Sequence, residues 1–404
     1  MVDNLRPRDG KDVEAAVQRA LAEGKPLELM GRGSKRAIGR PAQTDLTLDL
    51  SGLTGVTLYE PEELVLSARA GTALAEIEAL VAANGQQLAF EPMDYGPLSG
   101  GVAGRGTVGG ALAANVSGPR RIKAGAARDH FLGFSAVSGR GETFKSGGRV
   151  VKNVTGYDLC KLMAGSWGTL AAMTEVTIKV LPRPETEATV TIRGLAPARA
   201  VEAMTLAMGS ACDVSGAAHL SAEVAARSPE IAGGAATALR LEGFAPSVAH
   251  RRRVLEALMQ PFGDAVTIEE PASRALWQAV RDVAAFASDR LDRPLWRIST
   301  APSRGAELGA RIAREAEAHM LYDWAGGLIW VALEPSDDAG AAVVRRAVAA
   351  TGGHATLVRA PAAVRAAVAV FAPQDPALAA LTKRVKASFD PGGVLNPGRM
   401  WAGV

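Results

Sequence analysis

The stretch Thr107-Val108-Gly109-Gly110-Ala111-Leu112-Ala113-Ala114-Asn115-Val116-Ser117-Gly118-Pro119-Arg120-Arg121 decides the reading of this chain. It packs two adjacent glycines, three hydrogen-bonding side chains and two cations into fifteen residues. Paired glycines let backbone come close to another group without a Cβ between them. Thr107 and Ser117 offer hydroxyls and Asn115 an amide. Upstream, Gly104-Arg105-Gly106-Thr107-Val108-Gly109 matches the G-x-G-x-x-G pattern of dinucleotide sites. That site needs a buried strand before it and an unbroken helix after it. Tyr95-Gly96-Pro97-Leu98-Ser99-Gly100-Gly101 cannot be a central strand, and Ser117-Gly118-Pro119 breaks the helix. Asp129 stands twenty residues on, but no strand leads to it. The match is chance inside a loop of another design.

Outward from that stretch, glycine is in excess: 44 of 404 residues, about 11% against a usual ~7%. No G-X-Y period accompanies it, so collagen is excluded. The length exceeds what one core usually supports and predicts two domains. With 48% apolar and 22% charged residues the chain is an ordinary globular one. A formal net charge of +3 without charge blocks gives no argument for nucleic acid. Cys160 and Cys212 form no CxxC pair, which argues against a disulfide framework, an iron–sulfur cluster or a zinc site. The reading predicts no signal peptide, no membrane-spanning helix and a cytoplasmic location.

Periodicity predicts a helix over Asp12–Glu23 stopped by Gly24, and a strand at Leu27–Met30. The strand runs into Gly31-Arg32-Gly33-Ser34-Lys35-Arg36, where successive amides and three cations suit an anion-binding nest. Leu46–Leu50, Val56–Tyr59, Leu64–Ala68 and Val176–Leu181 read as further strands. Thr72 reads as the N-cap of a helix ending at Asn84-Gly85. Pro182-Arg183-Pro184 is the boundary candidate. Beyond it, Thr189–Arg193, Leu239–Glu242, Trp296–Thr300, Leu328–Leu333 and Ala355–Val358 read as about five strands. They alternate with helices at Ser247–Met259, Ser303–His319 and Ala339–Thr351. No GxSxG or HExxH motif occurs, and the five histidines show no ligand spacing, which marks them as mostly structural.

Three segments together resemble the FAD-linked oxidase family, the vanillyl-alcohol-oxidase or PCMH-type fold. The first is Thr107–Arg121 with Gly125 and Arg128-Asp129-His130. The second is Thr155-Gly156-Tyr157-Asp158-Leu159 with Lys161-Leu162 and Gly165-Ser166-Trp167-Gly168-Thr169-Leu170. The third is the tail Phe389-Asp390-Pro391-Gly392-Gly393-Val394-Leu395-Asn396-Pro397-Gly398. Ser117-Gly118-Pro119-Arg120-Arg121, Val151-Lys152-Asn153-Val154-Thr155-Gly156-Tyr157-Asp158 and Asp323-Trp324-Ala325-Gly326-Gly327 resemble, within that family, the smaller flavin subunits of bacterial glycolate oxidases.

The resemblance implies an α+β chain. A PCMH-type FAD-binding domain of two α/β subdomains (1–183) is followed by an α+β cap domain with an antiparallel sheet (184–385). A C-terminal segment (386–404) returns to the first domain. It implies FAD, held by Gly31, Arg32, Gly33, Ser34, Lys35, Pro92, Thr107, Val108, Gly109, Gly110, Asn115, Ser117, Gly118, Gly165, Gly168, Ile178 and Asn396. Members with covalent flavin place a His where Ser34 and Lys35 stand, so the expectation is non-covalent FAD. The His-rich metal motif of related 2-hydroxy-acid dehydrogenases is missing, no metal is expected, and Trp167 stands where those enzymes often have Glu. Arg297 is the candidate clamp for a substrate carboxylate, against a surface salt bridge or partner contact.

The function implied is that of an FAD-binding subunit of a glycolate-oxidising complex. A larger FAD-binding catalytic subunit and an iron–sulfur subunit are its expected partners. Contact with the inner face of the plasma membrane would come only through them. The alternatives are an FAD-holding assembly subunit without chemistry of its own, and a standalone dehydrogenase of D-lactate or another 2-hydroxy acid.

Overall fold

The computed structural model describes residues 3–149, 156–231, 233–287 and 290–404. The phrase Val151–Thr155 lies outside them. Helix Gly10–Glu23 begins where the Asp9 carboxylate accepts from the Lys11 and Asp12 amides, and it ends at Gly24 with φ 63°. Its Val13, Val17 and Ala20 pack on a parallel three-stranded sheet, in which Leu46–Asp49 lies between Asp3–Leu5 and Leu27–Met30. A second, antiparallel sheet runs Val56–Glu60, Val65–Arg69, Ala171–Lys179, Phe131–Ser138, Thr143–Gly147. Helices Leu74–Ala82 and Val108–Ala113 cover its apolar face. Two α/β layers thus share the first part of the chain, as expected.

Local details differ from the sequence reading. Thr72 does not cap its helix; Ala73 stands at the N-cap without a side-chain bond. The Thr72 hydroxyl instead donates to Arg69 O at 2.7 Å and accepts from the Gly55 amide at 3.0 Å, closing the preceding turn. Hydroxyls that bond their own neighbourhood compete with capping in this way. Helix Val108–Ala113 has six residues and stops before Ser117, and no strand precedes it, so the rejected dinucleotide reading stays rejected.

Beyond Pro182 an eight-stranded, wholly antiparallel sheet forms. Its order is Ala265–Glu269, Thr186–Arg193, Ala236–Gly243, Gly216–Leu220, Ala318–Asp323, Leu328–Leu333, Leu295–Ser299, His354–Arg359. Five strands were expected. Gly216–Leu220 is short, small and fully buried, with one polar residue, His219, and the helix expected over Ser303–His319 runs into the first two residues of Ala318–Asp323. That helix, Gly305–Glu315, ends because Ala316 turns extended.

Helices Pro197–Met208, Ala245–Met259, Gly305–Glu315 and Ala341–Thr351 pack on one face of the sheet. The other face meets Ile38, Met93, Tyr95, Leu98 and Val116 from the first part of the chain in one shared core. After helix Pro376–Phe389 the tail returns to the small sheet. Leu27 pairs with Leu395 in a parallel bridge, the Leu27 amide donates to Val394 O at 2.7 Å, and the Asn396 amide donates to Leu27 O at 2.9 Å. Among the described residues no helix is long and apolar enough to cross a membrane.

Candidate cofactor site

A cleft open to solvent lies where these layers meet. Its walls come from distant parts of the chain: mainly Leu29–Arg36, the stretch from Thr107 to Ala114, and Trp167 to Met173, with Leu50, Ala70 and Arg399 of the tail completing them. Gly31, Arg32, Gly33, Ser34, Lys35, Thr107, Gly109, Gly110 and Gly168 all line it. Several predicted residues stand behind the walls. Val108 is fully buried in its helix, and Ile178 is fully buried on strand Ala171–Lys179. Pro92 is buried in the loop after Glu91. The Ser117 hydroxyl accepts from the Ala127 amide at 2.9 Å, and the Asn115 side chain accepts from the Arg128 amide at 3.0 Å. Gly118 donates to Phe90 O at 2.9 Å, and Gly165 to Leu112 O at 3.3 Å. Arg297 lies on the eight-stranded sheet, away from this cleft.

Asn396 braces two walls from behind. Its Oδ1 accepts from the Leu29 amide at 2.8 Å and its Nδ2 donates to Trp167 O at 2.8 Å. Gly168 is tight against it: a Cβ there would stand 2.8 Å from Asn396 Nδ2. Gly109 and Gly31 also owe their smallness to protein neighbours. A Cβ on Gly109 would lie 2.7 Å from Ala70 Cβ, and one on Gly31 2.7 Å from Thr107 Oγ1. Gly33 has open space but φ 80°, which favours glycine for backbone reasons.

The electrostatics of the cleft favour an anion. Lys35 is buried, and among the described residues its ammonium makes one hydrogen bond, to the Ser34 hydroxyl at 3.4 Å, and lies over the Tyr95 ring at 5.9 Å. Burial pushes its pKa down to about 8, with Asp94 pulling upward from a distance and Arg399 pushing downward. Arg399 lies beside it, donating to Lys35 O at 2.9 Å, with a buried guanidinium Nε that finds no hydrogen-bond partner among the described residues. Burial holds Arg399 at about 10, far below an ordinary guanidinium. Asp94 and Glu28 pull on these two buried cations from a distance, but among the described residues neither cation forms an ion pair, and a doubly anionic pyrophosphate would satisfy both. The residues present therefore fit FAD. Arg36 is not free for that task, since Glu28 holds it bidentately at 2.6 and 2.9 Å.

Sequence reasoning missed Arg399, whose only signal was its place in the turn-rich tail. It treated Trp167 as a departure, yet the Trp167 indole lines the cleft, 5.7 Å from Arg399 and 5.5 Å from Phe371.

A family profile described as "FAD binding domain" matches residues 4–147. The glycolate oxidase subunit GlcE of Escherichia coli is 34% identical over 387 residues, covering 96% of this chain and 95% of that one. The chain belongs to the FAD-linked oxidase family. This FAD-linked oxidase is also 29% identical over 180 residues to a D-lactate dehydrogenase of Archaeoglobus fulgidus, across 44% of this chain and 38% of that one. A solved structure of p-cresol methylhydroxylase with substrate bound aligns with a TM-score of 0.72 at 14% identity, over 99% of this chain and 88% of that one. The PCMH-type fold, FAD as cofactor and oxidoreductase class follow from these likenesses and the cleft.

Proposed function

We propose that this chain is the FAD-binding subunit of a complex that oxidises glycolate to glyoxylate. When bound, the flavin supplies the two-electron acceptor for removal of the 2-hydrogen. The observation that carries the reading is the pair of buried cations, Lys35 and Arg399, facing a cleft built from loops of this family. Gly31 to Lys35, Thr107, Gly109, Gly110 and Gly168 would surround the cofactor. Asn115, Ser117, Gly118, Gly165 and Asn396 would hold those loops, while Pro92, Val108 and Ile178 pack behind them. Ser34 and Lys35 offer no imidazole for a covalent link, which supports non-covalent FAD.

In the same reading, residues 1–183 form the flavin domain, 184–385 the cap and 386–404 the returning segment. The E. coli relative's designation as a subunit supports assembly with a larger flavin subunit and an iron–sulfur subunit. Cytoplasmic placement, with membrane contact only through those partners, completes it. Arg297 would hold the substrate carboxylate.

The test is anaerobic. The purified chain is loaded with FAD, freed of excess, and mixed with glycolate with and without the larger subunit. Bleaching of the oxidised flavin band by glycolate supports self-contained chemistry. Bleaching only with the partner present assigns this chain the assembly or relay role. Failure to retain FAD at all overturns the cofactor site, and bleaching by D-lactate but not glycolate replaces the substrate.

A further inference from the structure

Arg121 and Arg297 reach one place from different parts of the fold. Arg121 opens the short helix Arg121–Ala124, directly after the Ser117-Gly118-Pro119 turn of the flavin loop. Arg297 stands at the centre of strand Leu295–Ser299. Both guanidiniums lie against a single indole, with Arg121 Cζ 4.3 Å and Arg297 Cζ 5.1 Å from the Trp324 ring centre. Such contacts orient a guanidinium while leaving its N–H groups free.

Trp324 is itself held from both sides. Its Nε1 donates to Gly118 O at 3.0 Å, and its amide donates to the Asp323 carboxylate at 2.7 Å. Trp324 and Ala325 both occupy the left-handed region, at φ 51° and 56°. That backbone is costly for residues with a Cβ and persists only where the surroundings impose it.

The strand alternation gives the direction of Arg297. Leu295, Arg297 and Ser299 share one face, opposite Trp330, Thr356 and His354 on the neighbouring strands. Leu295, Trp330 and Val358 of that face pack against Ile38, Tyr95 and Val116. Arg297 and His354 are therefore on the side of the sheet turned toward the flavin loops.

Positive charge prevails there, although the Asp129 carboxylate acts on Arg121 and Arg297 acts on the buried Asp323 carboxyl. Nearby Arg120 and Arg240 share Glu91 and Glu242. Among the described residues, Arg121 and Arg297 make neither an ion pair nor a side-chain hydrogen bond. Arg121 keeps an exposed face, yet partial desolvation and then the charge of Arg297 push it below its ordinary pKa, against an upward pull from Asp129. Burial, Arg297 and Arg121 push His354 down as well. A small anion entering between the two guanidiniums would relieve that repulsion.

We propose that Arg121 and Arg297, gathered at Trp324, form a carboxylate-binding site that spans the flavin loop and the cap sheet. The site takes the carboxylate of a small 2-hydroxy acid; only this choice of ligand rests on the proposed glycolate chemistry. Because one arginine comes from each side, the bound carboxylate also ties the sheet to the flavin loop.

Oxalate carries carboxylates but no hydrogen to remove, so it separates binding from turnover. The FAD-loaded chain is titrated with oxalate while tryptophan fluorescence and the flavin absorption band are followed. Saturable binding is expected. Arg121→Gln and Arg297→Gln should each weaken it about tenfold or more, the loss of a charge-assisted hydrogen bond. Neutral acetamide should not compete. Each variant must keep its flavin and melting temperature; if one does not, Arg→Lys at that position, which keeps the charge, is compared instead and should bind between the two. Oxalate binding that both Gln variants retain unchanged, or no binding to a flavin-loaded wild-type chain, overturns the site. Arginine-dependent oxalate binding in a chain that oxidises no glycolate either alone or with the larger subunit would sink the proposed function and leave this site standing.

Discussion

Lys35 is a cation buried before its counter-charge arrives. Its ordinary pKa of 10.5 falls to about 8, mainly because burial disfavours the charged form. Between those values the unfolded chain binds more protons than the folded one, so stability of the flavin-free chain rises with pH across about 8 to 10.5. Below pH 8 the cost is fully present. A pyrophosphate beside the ammonium reverses the shift. FAD binding at pH 8.5 should therefore take up a fraction of a proton, measurable by calorimetry in buffers of different ionisation heat. Lys35→Met should abolish the uptake and weaken FAD about tenfold or more, the loss of one charge-assisted contact; uptake that survives the substitution refutes this account.

Two neighbouring glycines should respond differently. Gly109→Ala forces a Cβ to 2.7 Å from Ala70 and should cost about 1–3 kcal/mol with or without FAD. Gly33→Ala meets no atom but keeps φ 80°, and should cost about 1–2 kcal/mol. Flavin-free melting curves test both. The glycine clusters were legible in the sequence. Their reasons were not, because Gly109 and Gly31 are small for Ala70 and Thr107, which sequence distance hides.

At the scale of elements, the returning tail hangs on Lys386. Its ammonium donates to Thr169 O at 2.6 Å, Asp390 Oδ2 at 2.6 Å and Leu395 O at 2.8 Å, so all three donors are used inside the protein. Asp390 in turn accepts from the Val394 and Leu395 amides at 3.0 and 2.8 Å. Lys386→Met would leave the Asp390 carboxylate buried without a cation, a loss of about 3–5 kcal/mol. Urea unfolding should show it, and Asp390→Asn in the same chain should restore part of the loss. A Lys386→Met midpoint equal to wild type would refute the pairing. The tail motif was visible as turn chemistry, and the first helix as a capped periodic segment. The strands Gly216–Leu220 and Ala318–Asp323 were not, because buried strands with apolar residues on both faces carry no period of two. Trp324 escaped as a site residue for another reason: it sits in the turn before Leu328–Leu333, and only the folded chain brings it against Gly118 and Arg297.

The whole molecule is joined by a charge network that crosses from flavin loops to cap sheet. Arg240, 1% exposed, bonds Glu91 at 2.9 and 3.1 Å, and Arg120 bonds Glu242 at 2.6 and 3.0 Å. Arg120 belongs to the deciding stretch, Glu91 precedes the loop that reaches Tyr95, and Arg240 and Glu242 belong to the sheet. Burial by itself would raise the Glu242 pKa, but Arg240 and Arg120 outweigh it and hold the carboxyl at about 2, against an ordinary 4.5. A carboxylate with a depressed pKa contributes stability that is present above the unfolded value and is lost as pH falls through the folded one. Acid should therefore loosen the junction between about pH 4.5 and 2. Glu242→Gln should lower stability at pH 7 and flatten the acid slope over that window, since the titrating group is gone while Arg120 and Arg240 remain. Urea midpoints measured from pH 7 down to 2.5 check both effects. An acid slope in Glu242→Gln as steep as wild type would place the acid sensitivity outside this junction.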